Sequence, residues 1–338
     1  MRIQKAYRLL FIWLMCTLLL SQSCEVKAPV QPKQNNSPEW QPVNSGLDNK
    51  MIQTLALAGD DILYAGSFNG VFKSIDGGGS WKVINNGLTN TDVKSVEIHP
   101  SDPNKVYCGT WGSGVFYSLN GGEEWQPLSQ KNIDPRIHCI SVDKGNPDHL
   151  WIATYDGVFK TQDNGQTWER SFPSGNALVV ASSSSEIIYI GVQYQGSYKS
   201  IDGGNSWQNI NSGLFKSGVL YASPNSIIFD PYDNRHLFVS TGWIDIYTTE
   251  NEGENWTRIG RSIEEKNVQD LAIDPENSNV IWAATRAEGI WRSEDQGKTW
   301  SSFNDGLQTL ETRCVVVNKS GVVYVGTVNE GIFKFESE

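Results

Sequence analysis

The sequence predicts an all-β protein, and more narrowly a single seven-bladed β-propeller of four-stranded blades over residues 39–338. Three observations carry this prediction: the composition, a motif that occurs six times at a nearly fixed spacing, and two chain ends that complement each other. The first excludes helical folds, the second divides the chain into units, and the third closes the units into a ring.

The composition favours many short strands joined by tight turns. The 338 residues include 32 Gly, 13 Trp, 12 Tyr and 12 Phe, whereas only 19% are charged and three are Met. This mixture fits poorly with helical bundles, coiled coils or disorder. The net charge of −11 also argues against nucleic acid or an anionic membrane surface as a partner, because both attract basic patches.

One motif, Ser/Thr-x-Asp/Asn-x-Gly-x-x-Trp, divides the chain into repeated units. Successive motifs start 44, 43, 39, 49 and 44 residues apart. Such a period is typical of propeller blades. The six copies are Ser74 to Trp81, Ser118 to Trp125, Thr161 to Trp168, Ser200 to Trp207, Thr249 to Trp256 and Ser293 to Trp300.

Each motif follows three predicted strands, and its tryptophan opens a fourth. The C-terminal unit, residues 313–335, has three strands but no motif after them. At the other end, residues 39–47 are similar in sequence to the fourth-strand segments 80–88 and 206–214, but no three strands precede them. We therefore expect the N-terminal strand to complete the last blade and close the ring, which leaves no open sheet edge.

The N-terminal 38 residues predict an exported protein. Three bases and no acid precede an apolar run from Leu9 to Leu20, as in a secretory signal peptide over residues 1–23. The segment Leu20 to Cys24 resembles a bacterial lipoprotein signal, although Ser21 holds the place where that family usually has leucine. The resemblance implies lipidation of Cys24 and a flexible tether over residues 24–38. Secretion without a lipid is the alternative, and a retained membrane helix is weaker because the run is short.

The remaining cysteines, Cys108, Cys139 and Cys314, lie in apolar runs and are expected to be buried thiols. A Cys108–Cys139 disulfide is the alternative, although the sequence does not indicate it, and no metal-ligand spacing occurs. The four histidines also form no catalytic pattern with serine and aspartate. The sequence therefore implies no metal and no cofactor.

The motifs resemble the Asp-box, or BNR, repeats of sialidase-like propellers. The stretch from Asp102 to Phe116 also resembles the repeats of xyloglucan-cleaving glycosidases and sortilin-type receptors. In those families the Asp box is a turn between third and fourth strands, on the face opposite the ligand site. The resemblance therefore implies a structural role for the central motif residues Asp76, Asn120, Asp163, Asp202, Asn251 and Asp295.

If the Asp boxes lie on one face, the loops between second and third strands lie on the other. Five consecutive blades place an aromatic residue in these loops and the sixth places Arg286, which predicts a surface for stacking on sugar rings or gripping a peptide. The alternative is that the rings merely cap strand ends. The candidate ligand-binding residues are Phe68, Trp111, Tyr155, Tyr194, Trp243 and Arg286, with Trp111 and Trp243 foremost.

A glycoside hydrolase is the competing hypothesis, since a two-carboxylate mechanism needs only an acid and a base or nucleophile across the scissile bond. The candidate catalytic residues are Asp156, Asp245, Glu288, Arg136, Arg286 and Arg313. The early Phe/Tyr-Arg-Ile-Pro motif of sialidases is missing, however, and the xyloglucan-cleaving enzymes that these repeats resemble use two propellers to form their cleft. We therefore predict a non-catalytic, lipid-anchored propeller at the cell envelope that acts as a monomer and binds a glycan or an extracytoplasmic protein.

Overall fold

The computed structural model of the protein describes residues 38–128, 132–173, 175–217, 220–242, 245–260, 263 and 266–337. These residues belong to one compact unit, Pro38–Glu338. They form seven four-stranded antiparallel sheets and one two-stranded hairpin, with no α-helix among them. The predicted seven-bladed, all-β propeller is confirmed.

The blades follow one another along the chain, each with its first strand innermost and its fourth outermost. Blade 1 contains β2 (Ile52–Leu57), β3 (Leu63–Ser67), β4 (Gly70–Ser74) and β5 (Lys82–Val83). Blade 2 contains β6 (Val93–Ile98), β7 (Val106–Thr110), β8 (Gly114–Ser118) and β9 (Gln126–Pro127). Blade 3 contains β10 (Ile137–Val142), β11 (Leu150–Thr154), β12 (Gly157–Thr161) and β13 (Glu169–Phe172).

A short hairpin stands between blades 4 and 5. Blade 4 contains β14 (Ala177–Ser182), β15 (Ile188–Val192), β16 (Gly196–Ser200) and β17 (Gln208–Asn209), and the hairpin pairs β18 (Lys216–Ser217) with β19 (Leu220–Tyr221). Blade 5 contains β20 (Pro224–Asp230), β21 (Asp233–Thr241), β22 (Ile246–Thr249) and β23 (Thr257–Arg258). Blade 6 contains β24 (Val268–Asp274), β25 (Asn277–Thr285), β26 (Ile290–Ser293) and β27 (Ser301–Ser302).

Blade 7 joins the two ends of the chain and closes the ring. It contains β28 (Thr312–Val317), β29 (Val323–Thr327), β30 (Ile332–Phe335) and, as its fourth strand, β1 (Gln41–Pro42). Asn44 then accepts from the N–H of Ile332 at 2.7 Å and donates to the carbonyl of Glu330 at 2.8 Å. Asn85 makes the equivalent bonds within blade 1, so β1 replaces a missing fourth strand as predicted.

The hydrophobic core consists of seven clusters, one between each pair of adjacent blades. The cluster at the closure is the most aromatic. There the Trp40 ring contacts Trp282 at 6.0 Å, Phe303 at 6.4 Å and Phe335 at 5.5 Å between centroids. Burial of these large rings stabilises the junction of the first and last strands.

The Asp boxes are closed by their own hydrogen bonds. In blade 1, Asp76 accepts from the Ser74 hydroxyl at 2.7 Å, the Ser80 N–H at 2.8 Å and the Ser80 hydroxyl at 2.6 Å. These donors lower the pKa of Asp76 to about 2. The four boxes with aspartate have serine or threonine before the tryptophan, whereas those of Asn120 and Asn251 have Glu124 and Asn255 there. The pattern has a chemical reason. A carboxylate has a second oxygen that can accept from the serine or threonine hydroxyl, whereas an amide has only one oxygen acceptor.

Candidate binding face around the channel mouth

The strand directions place two sets of loops on the face opposite the Asp boxes. These are the loops between second and third strands and those leading into each first strand. We call this side the mouth face, because the central channel opens there between the seven first strands. The channel cavity is about 570 Å³ in volume.

A ring of seven residues surrounds the channel mouth, and the sequence analysis identified only one of them, Arg313, as a candidate. Each first strand has a β-bulge at its second residue, which leaves that residue unpaired with the second strand. A bulge re-aims the side chain it carries, and all seven of these side chains line the channel. The bulge ring consists of Gln53, Lys94, His138, Leu178, Asn225, Gln269 and Arg313. The available signal was a polar residue interrupting an apolar β-branched run in six of the seven units.

Three of the predicted aromatic residues lie together with two members of this ring. Lys94 Nζ lies 4.6 Å from the Phe68 ring centroid and 5.8 Å from that of Trp111. The Trp111 ring in turn meets His138 at 4.8 Å and Tyr155 at 6.2 Å, both edge to face. We call Phe68, Trp111 and Tyr155 the aromatic arc. It spans blades 1 to 3, with Phe68 40% and Tyr155 46% exposed and Trp111 half-buried.

The cations around the aromatic arc are paired. Lys94 donates to Gln53 and lies 3.0 Å from the Asp92 carboxylate. Arg136 stacks on Tyr155 at 4.0 Å and forms a bidentate pair with Asp134. The arc therefore presents rings that are held in place by cation–π contacts, rather than a net positive charge.

His138 supports the arc from inside the channel mouth. Its Nε2 lies 2.8 Å from the Asn176 side-chain oxygen. Burial lowers the pKa of His138, so the imidazole is neutral at pH 7 and donates this hydrogen bond. This hydrogen bond fixes the orientation of the imidazole ring, against which the Trp111 ring packs.

Tyr194 lies apart from the arc, in a second cavity of about 420 Å³ on the mouth face. The hairpin β18–β19 forms one wall, and blades 4 to 6 form the rest. We call this space the hairpin cavity. Sequence reasoning missed the hairpin, although the 49-residue spacing between the motifs that flank it signalled an insertion.

Two of the three candidate arginines meet in a smaller cavity. Arg286 and Arg313 both line a space of about 260 Å³ between blades 6 and 7, and Arg286 also borders the hairpin cavity. Arg136 does not line this space, since it stacks on Tyr155 at the blade 3 end of the aromatic arc. The structure thus brings together a pair of these arginines, not a triad.

Each candidate carboxylate has a different basic partner. Asp156 pairs with Arg170 at 2.9 Å, and Glu288 pairs with Lys266 at 3.3 Å. Asp245 is only 2% exposed, pairs with Arg258 and accepts from the N–H of Ile246. The Asp245 side chain is therefore buried in an ion pair within blade 5 and does not face the solvent as a catalytic carboxylate would.

Trp243 and Cys24 lie outside the described residues, so their predicted roles stay predictions. Cys108, Cys139 and Cys314 are free thiols, and burial raises the pKa of Cys139 to about 12. In the described part of the chain, no cluster of His, Cys, Asp and Glu has the arrangement of a metal site, and no helix is long and apolar enough to cross a membrane.

The channel wall also holds two carboxyl groups. Asp270 accepts from the Ser226 hydroxyl at 3.0 Å and from the N–H groups of Leu271 at 2.9 Å and Val315 at 3.1 Å, which links blades 5, 6 and 7. Burial raises its pKa to about 6. Burial likewise raises the pKa of Glu97 to about 7, against the attraction of Lys144.

The repeat and ring geometry agree with a comparison to protein families. The family model described as "Sortilin, neurotensin receptor 3" matches residues 69–196 and, a second time, residues 195–330. The chain belongs to the Sortilin-Vps10 family.

This Sortilin-Vps10 chain is also similar to a curated xyloglucanase. It is 26% identical over 145 residues to Xgh74A of Acetivibrio thermocellus, and the match covers 37% of this chain and 17% of that enzyme. The chain therefore spans less than a fifth of this relative's length.

Two solved structures share the fold of this Sortilin-Vps10 chain. The extracellular domain of the two-component system BT4673 from B. thetaiotaomicron is 16% identical with a TM-score of 0.72, and the match covers 88% of this chain and 39% of that one. YCF48 bound to D1 peptide is 17% identical with a TM-score of 0.65, and the match covers 88% of this chain and 97% of that one. At these identities the likeness extends to the fold alone.

Proposed function

We propose that the protein is an exported, lipid-anchored binding module, without catalytic activity, that captures a glycan or an extracytoplasmic protein on its mouth face. The aromatic arc is the observation that carries this proposal. Three rings from three blades converge there, two are about half exposed, and cation–π contacts hold all three in position. Rigid aromatic side chains supply binding area at a low cost in conformational entropy.

The neighbouring proteins are compatible with either class of ligand. Their names include a xyloglucanase, an extracellular domain and a propeller bound to a peptide. Export and the anchor rest on the N-terminal segment, with Cys24 as the lipid site.

Hydrolysis is the competing function, with Asp156, Glu288 and the arginines as its candidate residues. Their pairing with separate bases argues against it, because a two-carboxylate mechanism needs two carboxyl groups facing one bond. Asp245 is the weakest candidate, since its side chain is buried in an ion pair.

The decisive experiment screens the full chain against polysaccharides and extracytoplasmic extracts while reducing-sugar release is assayed. We expect Trp111→Ala to weaken capture of the ligand about ten-fold or more, the loss typical of a central aromatic contact. Trp243→Ala tests the second predicted tryptophan in the same way. Tyr232→Ala is the matched control, because Tyr232 is a 68% exposed aromatic in a turn on the Asp-box face.

Unchanged capture by Trp111→Ala would show that the arc is structural. Release of reducing sugar that is lost in Glu288→Gln or Asp156→Asn would support the hydrolase instead. The anchor is tested separately: Cys24→Ser should move the protein from the membrane fraction to the soluble fraction.

A further inference from the structure

The four most exposed large apolar side chains of the described residues all lie on the Asp-box face. Ile75 is 70% exposed, Leu119 63% and Ile201 68%, and each is the second residue of an Asp box. The fourth, Tyr232, lies in the turn between the first two strands of blade 5 and is 68% exposed. A single exposed apolar side chain is ordinary on a protein surface, whereas several on one face indicate a contact surface.

The hydrogen bonds of the Asp box direct its second side chain into the solvent. In blade 1 the Ser74 hydroxyl donates to Asp76 at 2.7 Å and accepts from a glycine N–H at 2.9 Å. The side chains on both sides of Ile75 therefore turn into the box, and Ile75 is left at its tip. The same bonds form around Leu119 and Ile201.

The residue at this tip divides the ring into two sectors. We call the three aliphatic tips of blades 1, 2 and 4 the apolar rim, which consists of Ile75, Leu119 and Ile201. Blade 3 has the uncharged Gln162 at the tip, whereas blades 5 and 6 have Glu250 and Glu294. All six tips are exposed, so the turn itself does not require an apolar residue there.

The part of the chain that precedes the described residues joins the propeller on the same face. β1 starts on the Asp-box face in blade 7, which packs against blade 1. Residues 25–37 separate this point from Cys24, the proposed lipid site, and a flexible chain of that length spans about 20 Å on average. The lipid therefore holds the Asp-box face beside a membrane surface. At such a distance even a weak contact forms, because tethering gives an effective concentration of the order of mM.

The charge of this face indicates which lipid surface fits. Hydrogen bonds from serine hydroxyls and backbone N–H groups lower the pKa of Asp76 and Asp202 to about 2, so both are anionic at neutral pH. Lys82, beside the blade 1 box, is paired with Glu123 of the next box at 3.0 Å. Apolar tips beside negative charge suit zwitterionic head groups and disfavour anionic ones.

We propose that the apolar rim docks on a zwitterionic lipid bilayer, so that the propeller rests on the membrane by its Asp-box face and the channel mouth points away. Ile75, Leu119 and Ile201 enter the head-group region, where interfacial apolar side chains bind. Glu250 and Glu294 keep blades 5 and 6 in water, so the ring is tilted toward blades 1 to 4. This contact adds a protein surface to the lipid anchor, and it rests on the proposed function for the anchor at Cys24.

The test attaches the propeller to vesicles through Cys24 and measures which side chains leave water. The chain without residues 1–23 is suitable, because residues 38–338 form the compact unit. A maleimide lipid in phosphatidylcholine vesicles couples to the Cys24 thiol. Cys108 and Cys314 are buried, and the pKa of Cys139 is raised to about 12, so these thiols do not compete. The reference is the same chain, with Cys24 blocked by N-ethylmaleimide, mixed with the same vesicles.

Hydroxyl-radical oxidation followed by mass spectrometry reports the exposure of each side chain. We expect attachment to lower the oxidation of the apolar rim about three-fold or more, because its side chains leave water. Val83 on the outer strand of blade 1 and Leu310 on the mouth face are internal controls, since they are 46% and 44% exposed and their oxidation should not change. Phosphatidylglycerol in the vesicles should weaken the protection, and added salt should restore it.

A double variant tests the rim directly. Ile75→Glu combined with Leu119→Glu should remove most of the protection at Ile201, because two of the three apolar tips become charged. These substitutions are compatible with the fold, since blades 5 and 6 already have glutamate at this position. Val83→Glu combined with Leu310→Glu adds the same charge elsewhere and should keep the protection. A thermal unfolding curve for each variant verifies folding.

Equal oxidation of the rim in the attached and blocked chains would overturn the proposal. Protection of Leu310 and the aromatic arc in place of the rim would also overturn it, because the mouth would then face the membrane. Low oxidation of the rim in the blocked chain would mean that another segment or a second copy covers it, which contradicts the proposal too. Thiol coupling does not depend on lipidation in the cell or on ligand capture. A failure of docking is therefore distinguishable from a failure of the anchor or of the arc.

Discussion

At the scale of single residues, the most unusual group is the Glu97 carboxyl in the channel wall. Burial raises its pKa to about 7, above the value of about 4.5 expected in the unfolded chain. The folded state therefore binds more protons than the unfolded state between these two pH values. Because stability falls with rising pH wherever the folded state holds more protons, Glu97 destabilises the ring as the pH rises from 4.5 to 7.

We expect the free energy of unfolding to fall by up to about 3 kcal/mol across this window. Asp270, whose pKa is raised to about 6, contributes in the same direction at the acidic end. Glu97→Gln should abolish the fall between pH 6 and 7 and leave below pH 6 only the smaller fall that Asp270 contributes. Urea unfolding at half-unit pH steps measures this slope, and a wild-type slope above pH 6 in Glu97→Gln would contradict the assignment.

At the scale of elements, four of the six motif tryptophans bind their fourth strand to the blade before it by an indole hydrogen bond, whereas Trp300 donates to Gly297 of its own motif. The indole N–H of Trp125 in blade 2 donates to the Ile84 carbonyl of blade 1 at 2.7 Å. Trp81, Trp207 and Trp256 make equivalent bonds to the preceding blade. Trp168 is equally buried, but its indole N–H has no partner among the described residues.

This difference supplies a matched pair of substitutions. Trp125→Phe and Trp168→Phe remove similar ring volume, but only the first leaves a buried carbonyl without its donor. We expect Trp125→Phe to lower the free energy of unfolding by about 1 kcal/mol more than Trp168→Phe. Denaturant unfolding of both variants measures the difference; equal losses would mean that these tryptophans act through packing alone.

The same elements show what the sequence could and could not predict. The motif spacing predicted the positions of the blades, and the unmatched segments at residues 39–47 and 313–335 predicted the closure of the ring. Both predictions succeed because they rest on local sequence patterns. The orientation of Lys94 and His138 depends on bulges, which are set by pairing between strands and leave little trace in composition. The burial of Asp245 likewise depends on Arg258, which lies 13 residues away in the fourth strand of the same blade.

At the scale of the whole molecule, the ring is closed by a strand of only two residues. The side chain of Trp40 adds a buried contact to this short pairing, since it is 1% exposed and donates to the Phe303 carbonyl at 2.8 Å. Removal of a buried tryptophan side chain costs about 3–5 kcal/mol.

We expect Trp40→Ala to lower the free energy of unfolding by this amount and to increase amide hydrogen exchange in β28 to β30 first, since blade 7 loses its outer strand. Tyr232→Ala, which removes an exposed ring, should change stability by less than about 0.5 kcal/mol. Uniform exchange over all blades in Trp40→Ala would show that the ring unfolds as one unit rather than opening at its closure.

The pairing of β1 with β30 also decides how the protein can be handled. The chain enters β1 and leaves β30 at the Asp-box face, because a fourth strand starts and a third strand finishes there. A fluorescent reporter or an affinity tag fused after β30, or a sensor surface coupled through that tag, is therefore attached on the side away from the channel mouth. Immobilisation by the C-terminal end turns the aromatic arc toward the solution, so the ligand proposed for the arc can be titrated on that surface.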